Sequence, residues 1–269
     1  MLTYGTDILL LEMQCYMKLI QNEFSDDAFL GGRLRLLQPK KGFRAGIDSV
    51  LLAASITACS GDSVLDVGTG AGAVLFCLMN RVPSLRATGI ELQEEYYSLA
   101  LKNSEKNNFK AKILLGDFQS LENDLRDCNF DHIFFNPPYY TECTYKKSGN
   151  SARELANIEK PGMLEKMLRF SLKRCKPYGY ITLINRPARL GAILSVLEKG
   201  AGDIKILPIL SSGRNAAFRM IVRAKKSAKG ETKLLEGLNL FQTNLEEKES
   251  RKYTSRVIEI LEQGEPLKF

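Results

Sequence analysis

The run Asn136-Pro137-Pro138-Tyr139 carries the most definite chemistry in this sequence. It follows an apolar stretch, Phe130 to Phe135, that reads as a strand. A side-chain carboxamide ahead of two prolines suits the capture of a planar amino group. The lone pair of such an amine is delocalised into its ring, so the amine is a poor nucleophile. Two acceptors placed on its hydrogens favour a tetrahedral nitrogen and release the lone pair. The side-chain oxygen of Asn136 is one acceptor, and the backbone carbonyl of Pro137 is the natural second. Pro137 and Pro138 fix φ, remove competing N–H donors and hold the residues before them extended. This preorganises dipoles toward developing charge. The Tyr139 ring is expected to stack on a flat substrate, an interaction of about 1–3 kcal/mol per base. No strong general base is needed, because the ammonium product is acidic. The single histidine, His132, is therefore given a structural place in the strand.

A second constellation lies some way upstream. Asp66-Val67-Gly68-Thr69-Gly70-Ala71-Gly72 has the spacing of a strand-to-helix turn that lets a ligand approach the backbone closely. Glu91 ends the next strand, where a carboxylate can accept both hydroxyls of a ribose, and Leu92 follows it. The turn satisfies both GxGxxA, which fits a nicotinamide dinucleotide, and GxGxG, which fits S-adenosylmethionine. Two neighbours favour S-adenosylmethionine. Asp66 stands at the strand end, within reach of the amino-acid portion of that ligand. Asp117 can accept the adenine amine while Phe118 packs on the base.

Charge is unevenly placed. Residues 141–230 hold 19 Lys/Arg against 6 Asp/Glu, within a chain of net charge +7. Such a basic half favours a polyanionic partner. After Tyr139 the chain mixes aromatic, basic and small residues and reads as a mobile loop. There Lys146, Lys147 and Arg153 are candidates for phosphates and Tyr140 for a base. Arg214 and Arg219 head a second basic group that continues through Arg223, Lys225, Lys226 and Lys229. Phosphate contacts of this kind position RNA without reading it.

These residues need a scaffold of alternating strands and helices. Strands are expected at Ser63–Val67, Leu85–Glu91, Ala111–Leu115, Phe130–Phe135 and Tyr178–Asn185. Helices are expected at Gly70–Arg81, Gln93–Asn107, Pro161–Lys176 and Pro187–Lys199. This order implies parallel strands with right-handed crossovers. Ile204–Leu210 and Ala216–Ala224, joined by a short polar loop, imply an antiparallel hairpin. Upstream, Asp7–Asn22 reads as an amphipathic helix, Arg33–Gln38 as a short strand, and Ile47–Cys59 as a helix capped by Asp48. A last helical stretch covers Ser255–Glu262.

At 269 residues the chain is long enough for one full α/β core. It has no run of about 18 apolar residues, so no membrane helix is expected. The apolar segment Ile8–Ile20 lacks the basic start of a signal peptide. Six cysteines without a CxxC pair, and one histidine, offer no metal set and fit free thiols in the cytoplasm.

Glycine turn and NPPY loop together resemble the amino-methyltransferases that act on adenine, cytosine, guanine or glutamine amides. The stretches Gly31 to Pro39 and Gly42 to Ala53 are more specific. From about Leu30 to Ala228 the chain resembles the bacterial valine-tRNA adenine-N6 methyltransferases. That resemblance implies a class I methyltransferase fold: a Rossmann-like, seven-stranded, mostly parallel sheet ending in an antiparallel hairpin. It also implies S-adenosylmethionine as cofactor and, as substrate, the adenosine just 3′ of a tRNA anticodon. Phe43 to Asp48 corresponds to a lid over the cofactor, with Arg44 as its contact. Residues 1–60 would form an extension and lid, 61–230 the methyltransferase domain, and 231–269 a tail packed on it. The alternatives are methylation of a protein glutamine amide, or of another nucleobase amine.

Overall fold

The computed structural model describes residues 23–122, 125, 128–141, 158–211, 216–242 and 252–269. In chain order the elements are β1 (Phe24–Phe29), β2 (Leu34–Pro39), α1 (Ile47–Ser55), β3 (Ser63–Val67), α2 (Ala73–Arg81), β4 (Arg86–Glu91), α3 (Glu94–Lys106), β5 (Ala111–Leu115) and β6 (Phe130–Phe135). There follow β7 (Tyr140–Thr141), β8 (Ile158–Glu159), α4 (Met163–Arg174), β9 (Cys175–Asn185), α5 (Leu190–Leu197), β10 (Ala201–Leu210) and β11 (Arg219–Lys226). The short strands β12 (Lys233–Leu234) and β13 (Leu238–Asn239) precede α6 (Ser255–Gln263).

One sheet organises the molecule. From β5 it runs through β4, β3, β6, β9, β11 and β10, and β12 and β13 both pair with β10. Strands β3, β4, β5, β6 and β9 are parallel to one another, while β11 runs antiparallel between β9 and β10. The expected seven strands and closing hairpin are all present; β12 and β13 extend the edge. Side chains alternate across the sheet, as the strand period demands. Val64, Phe134, Ile184 and Ile221 enter the core beneath α1 and α2. Leu65, Ile133, Phe135, Leu183 and Val222 enter the core beneath α4 and α5. Both faces are covered, which is why the central strands are mostly apolar.

Several boundaries differ from expectation for local reasons. Helix α2 starts at Ala73 because Gly70 and Gly72 hold left-handed φ values of 58° and 90°. Helix α4 starts after Gly162, whose φ is 73°. The stretch Pro187–Arg189 is a tight 3-10 turn, and α5 follows it. Strand β9 begins at Cys175, which pairs with Phe130 before a register irregularity near Tyr178 (φ 64°). Strands β10 and β11 begin at Ala201 and Arg219. Asp48 does not cap α1. The capping position is Gly46, without a side-chain bond, and the Asp48 carboxylate accepts from Arg219 Nε at 3.0 Å. The helix expected at Asp7–Asn22 lies outside the described residues.

The β1–β2 hairpin is fastened to the sheet's helices by one buried carboxamide. Asn103 of α3 accepts from Leu37 N at 2.7 Å and donates to Leu37 O at 3.0 Å and to Ala71 O at 2.9 Å. At the other end, α6 is capped by Thr254, whose hydroxyl accepts from Val257 N. It buries Val257 and Ile260, and Leu267 N then donates to Ala54 O at 2.7 Å.

Candidate active site

A cavity of about 200 Å³ opens at the carboxyl ends of the central parallel strands. This is where the backbone leaves the sheet and side chains from several turns converge. Gly68 and Gly70 of the turn after β3 form one wall. A side chain at Gly72 would meet the buried Phe76 ring at 2.1 Å, so the turn can close on α2 only with glycine there. Glu91 ends β4 almost fully buried. Its Oε2 accepts from Gly70 N at 2.8 Å and its Oε1 from Gln93 N at 2.9 Å. An ionised carboxylate has about four acceptor sites, so lone pairs remain for ribose hydroxyls while the same group fixes the turn. Leu92, next to it, lines the cavity and is exposed.

Asp117 and Phe118 also line the cavity. Asp117 Oδ1 accepts from Gln119 N at 2.9 Å, so this carboxylate shapes its own loop while facing the cleft. Phe118 is buried against Phe170, with ring centroids 5.2 Å apart, and shows one side to the cavity. Met163 and Met167 of α4 close the adjacent wall. Sequence reasoning missed both, since methionines at helical spacing carry no more signal than any core position.

Asp66 and Thr69 are not on the main cavity wall. Asp66 is fully buried and accepts from Thr69 Oγ1 at 2.9 Å. Burial, with the nearby charge of Glu91, pushes its carboxyl up to about 7, against the opposing bond from Thr69. Asp66 thus braces the turn from behind instead of meeting a ligand's amino group directly. Thr69 lines a smaller recess that also includes Asn136 and Ser49.

The segment 43–48, expected as a lid, reaches the cavity through Phe43. Phe43 lines the cavity, and Tyr96 of α3 holds it from two directions. Tyr96 Oη accepts from Phe43 N at 2.8 Å and donates to Phe43 O at 3.1 Å. Arg44, expected to touch cofactor, turns away. Its Nη2 reaches Asp27 at 2.6 Å, and Gln38 Nε2 bonds the same carboxylate, also at 2.6 Å. Arg44 ties its segment to β1, and Phe43 is the residue of that segment that faces the cleft.

The NPPY loop reaches the cavity through Asn136, Pro137 and Pro138. Among the described residues no hydrogen bond to the Pro137 carbonyl is formed. Tyr139 behaves differently from expectation: it is buried and does not line the cavity. Its hydroxyl donates to Asn136 Oδ1, and the Arg219 guanidinium lies 4.1 Å from its ring centroid. Burial, then the charge of Asp48, raises the Tyr139 hydroxyl well above its ordinary value.

The basic half divides into internal and surface charges. Arg219 pairs with Asp48, Lys176 with Asp131 and Arg189 with Glu165. Arg223 is buried and packs over Phe269 at 4.4 Å. These cations hold the fold together. Lys166, Arg169 and Lys173 of α4 are exposed and share one helix face. Lys146, Lys147, Arg153 and Arg214 lie outside the described residues, and of Tyr140 only the backbone is described. His132 is buried, with Nε2 3.4 Å from Asp62 and its ring stacked on Tyr180, in keeping with a place in the strand. No metal-ligating group and no membrane-length apolar helix occur among the described residues.

Comparison with known proteins agrees with the fold. Residues 59–185 match a family described as a methyltransferase domain. The chain is 30% identical over 172 residues to the tRNA1(Val) (adenine(37)-N6)-methyltransferase of Porphyromonas gingivalis, covering 61% of this chain and 67% of that protein. It is 23% identical over 147 residues to the release factor glutamine methyltransferase of Rhodopirellula baltica, covering 52% of this chain and 50% of that protein. A predicted O-methyltransferase from Agrobacterium tumefaciens shares the fold, with a TM-score of 0.64 at 22% identity over 79% of this chain and 94% of that one. Sheet order, glycine turn and domain match define a class I S-adenosylmethionine-dependent methyltransferase. Within that class the chain belongs to the family of the bacterial tRNA1(Val) (adenine(37)-N6)-methyltransferases.

Proposed function

We propose that this enzyme methylates the exocyclic N6 amine of an adenosine in RNA, at the position just 3′ of a tRNA anticodon. One observation supports this most: Asn136, Pro137 and Pro138 line one cavity with Gly68, Gly70 and Glu91. Acceptors suited to a planar amine therefore stand beside the elements suited to the cofactor. Glu91 would take the ribose hydroxyls, Asp117 the adenine amine, and Phe118 and Leu92 the faces and edge of the base. Bound there, S-adenosylmethionine supplies an electrophilic methyl carbon. The chain's own residues do the rest. Asn136 Oδ1 and the Pro137 carbonyl take the two amine hydrogens and aim the nitrogen lone pair. Phe43, Met163 and Met167 exclude water around that nitrogen.

An anticodon loop suits such a site, because its bases are already unpaired and extruding one costs little. Lys166, Arg169 and Lys173 supply a basic face on the helix that also contributes Met163 and Met167 to the cavity. The likeness to a release factor glutamine methyltransferase supports a second reading, since a primary amide offers the same two hydrogens. Incubating the enzyme with methyl-labelled S-adenosylmethionine and separate RNA and protein pools distinguishes them. Label is expected in the tRNA fraction as N6-methyladenosine. Label confined to protein would establish the amide reading in its place.

A further inference from the structure

The NPPY asparagine is held by its own loop and by residues from two distant parts of the chain. Tyr139 Oη donates to Asn136 Oδ1, and Asn136 Nδ2 faces Ser49 Oγ at 3.5 Å. Behind Tyr139, the Arg219 guanidinium covers the ring and its Nε donates to Asp48 Oδ2 at 3.0 Å. Both Arg219 and Asp48 are largely buried, at 18% side-chain exposure each, so this pair is screened far less than a surface bridge. Asp48 also faces the Tyr139 hydroxyl. It is thus a competing acceptor for the one proton that Tyr139 can give.

Donor counting shows what the arrangement achieves. A guanidinium only donates, a phenol has one proton, and a carboxamide can present either its oxygen or its NH2. The Arg219 guanidinium draws the Asp48 carboxylate to itself, while the Tyr139 proton goes to Asn136. That bond turns the carboxamide oxygen toward Tyr139 and its NH2 toward Ser49. The oxygen keeps a second lone pair for an incoming amine. We propose that Asp48, Arg219 and Tyr139 form a positioning relay that fixes which atom of the Asn136 carboxamide meets the incoming amine, and that Arg219 acts through this relay and not through an RNA phosphate. The relay deepens the methyl-transfer reading above and rests on it for its effect on turnover. Sequence alone places Arg219 among RNA-facing cations; 171 residues separate it from Asp48.

Two measurements test the relay. The first is steady-state kinetics on an unmodified valine-tRNA transcript. Arg219→Ala is expected to lower kcat roughly 10- to 100-fold with KM for the transcript within about threefold. Arg219→Lys should recover part of that loss. Asp48→Ala in the Arg219→Ala background should add little, because the two act as one unit. A phosphate contact predicts the opposite: kcat kept, KM raised about tenfold or more, and the salt slope reduced by about one. That result, or additive losses, overturns the relay. The second measurement needs no RNA. With 3-fluorotyrosine incorporated and the Tyr139 fluorine line assigned through Tyr139→Phe, Arg219→Ala and Asp48→Ala should each shift that line. An unmoved line overturns the relay even if the wild type leaves the transcript unmethylated, an outcome that would sink only the substrate assignment.

Discussion

Glu91 shows how much one side chain can organise. Its carboxylate ends β4, fixes the glycine turn through Gly70 N, holds Gln93 N and faces the cavity. Glu91→Gln sets an NH2 against one of those backbone N–H groups and removes a charge-assisted acceptor. Losing such a bond costs about 1–3 kcal/mol. Cofactor affinity measured by calorimetry should therefore fall roughly 10- to 100-fold, and unchanged affinity would refute the assignment. Asn136→Ala separates binding from chemistry. It should lower turnover by at least about 10²-fold while leaving cofactor Kd within a few-fold. Glu91, Asp117 and Asn136 were legible because spacing places each at a strand end. Asp66 has the same spacing, yet it is sealed behind Thr69, and no sequence pattern separates a carboxylate in front of a turn from one beneath it.

Elements carry the site through contacts of high sequence separation. The β1–β2 hairpin is held by Asn103 bridging β2 and the glycine turn, and Phe43 by Tyr96 clamping its backbone N and O. Asn103→Leu leaves buried backbone groups of Leu37 and Ala71 unpaired. A loss of about 2–4 kcal/mol in unfolding free energy is expected, together with weaker cofactor binding; urea denaturation that matches the wild type would contradict it. Strand and helix order was legible from apolar runs and glycine placement, and β3, β5 and β6 match to the residue. Helix starts were less so. The sequence shows Asp48 in a capping position for α1, but its strongest partner, Arg219, comes from the far end of the chain. Local rules cannot anticipate a bond that only the folded sheet brings together.

For the molecule as a whole, charge has two uses that composition blends into one excess. Arg219, Arg223, Lys176 and Arg189 are tied into the fold. The exposed face of α4 carries Lys166, Arg169 and Lys173, on the helix that also lines the cavity. RNA affinity should therefore weaken steeply with salt, with a slope set by a few phosphates and not by the full basic count. Filter binding from about 50 to 200 mM salt measures it, and a flat response would contradict a polyanionic substrate. Asp66 contributes a fall of stability with pH, which the lowered pKa of buried His132 opposes. Its folded carboxyl sits near 7, well above the unfolded value of 3.8. Between those values the folded protein binds more protons than the unfolded chain, so its contribution falls as pH rises through about 7. Thermal melting from pH 5 to 8 should show that decline, and Asp66→Asn should flatten it.

Nucleoside mass spectrometry of valine tRNA from cells with the gene intact, deleted, or carrying Asn136→Ala tests the central claim most directly. N6-methyladenosine next to the anticodon should be present only with the intact enzyme. The same modification level in all three strains would contradict it.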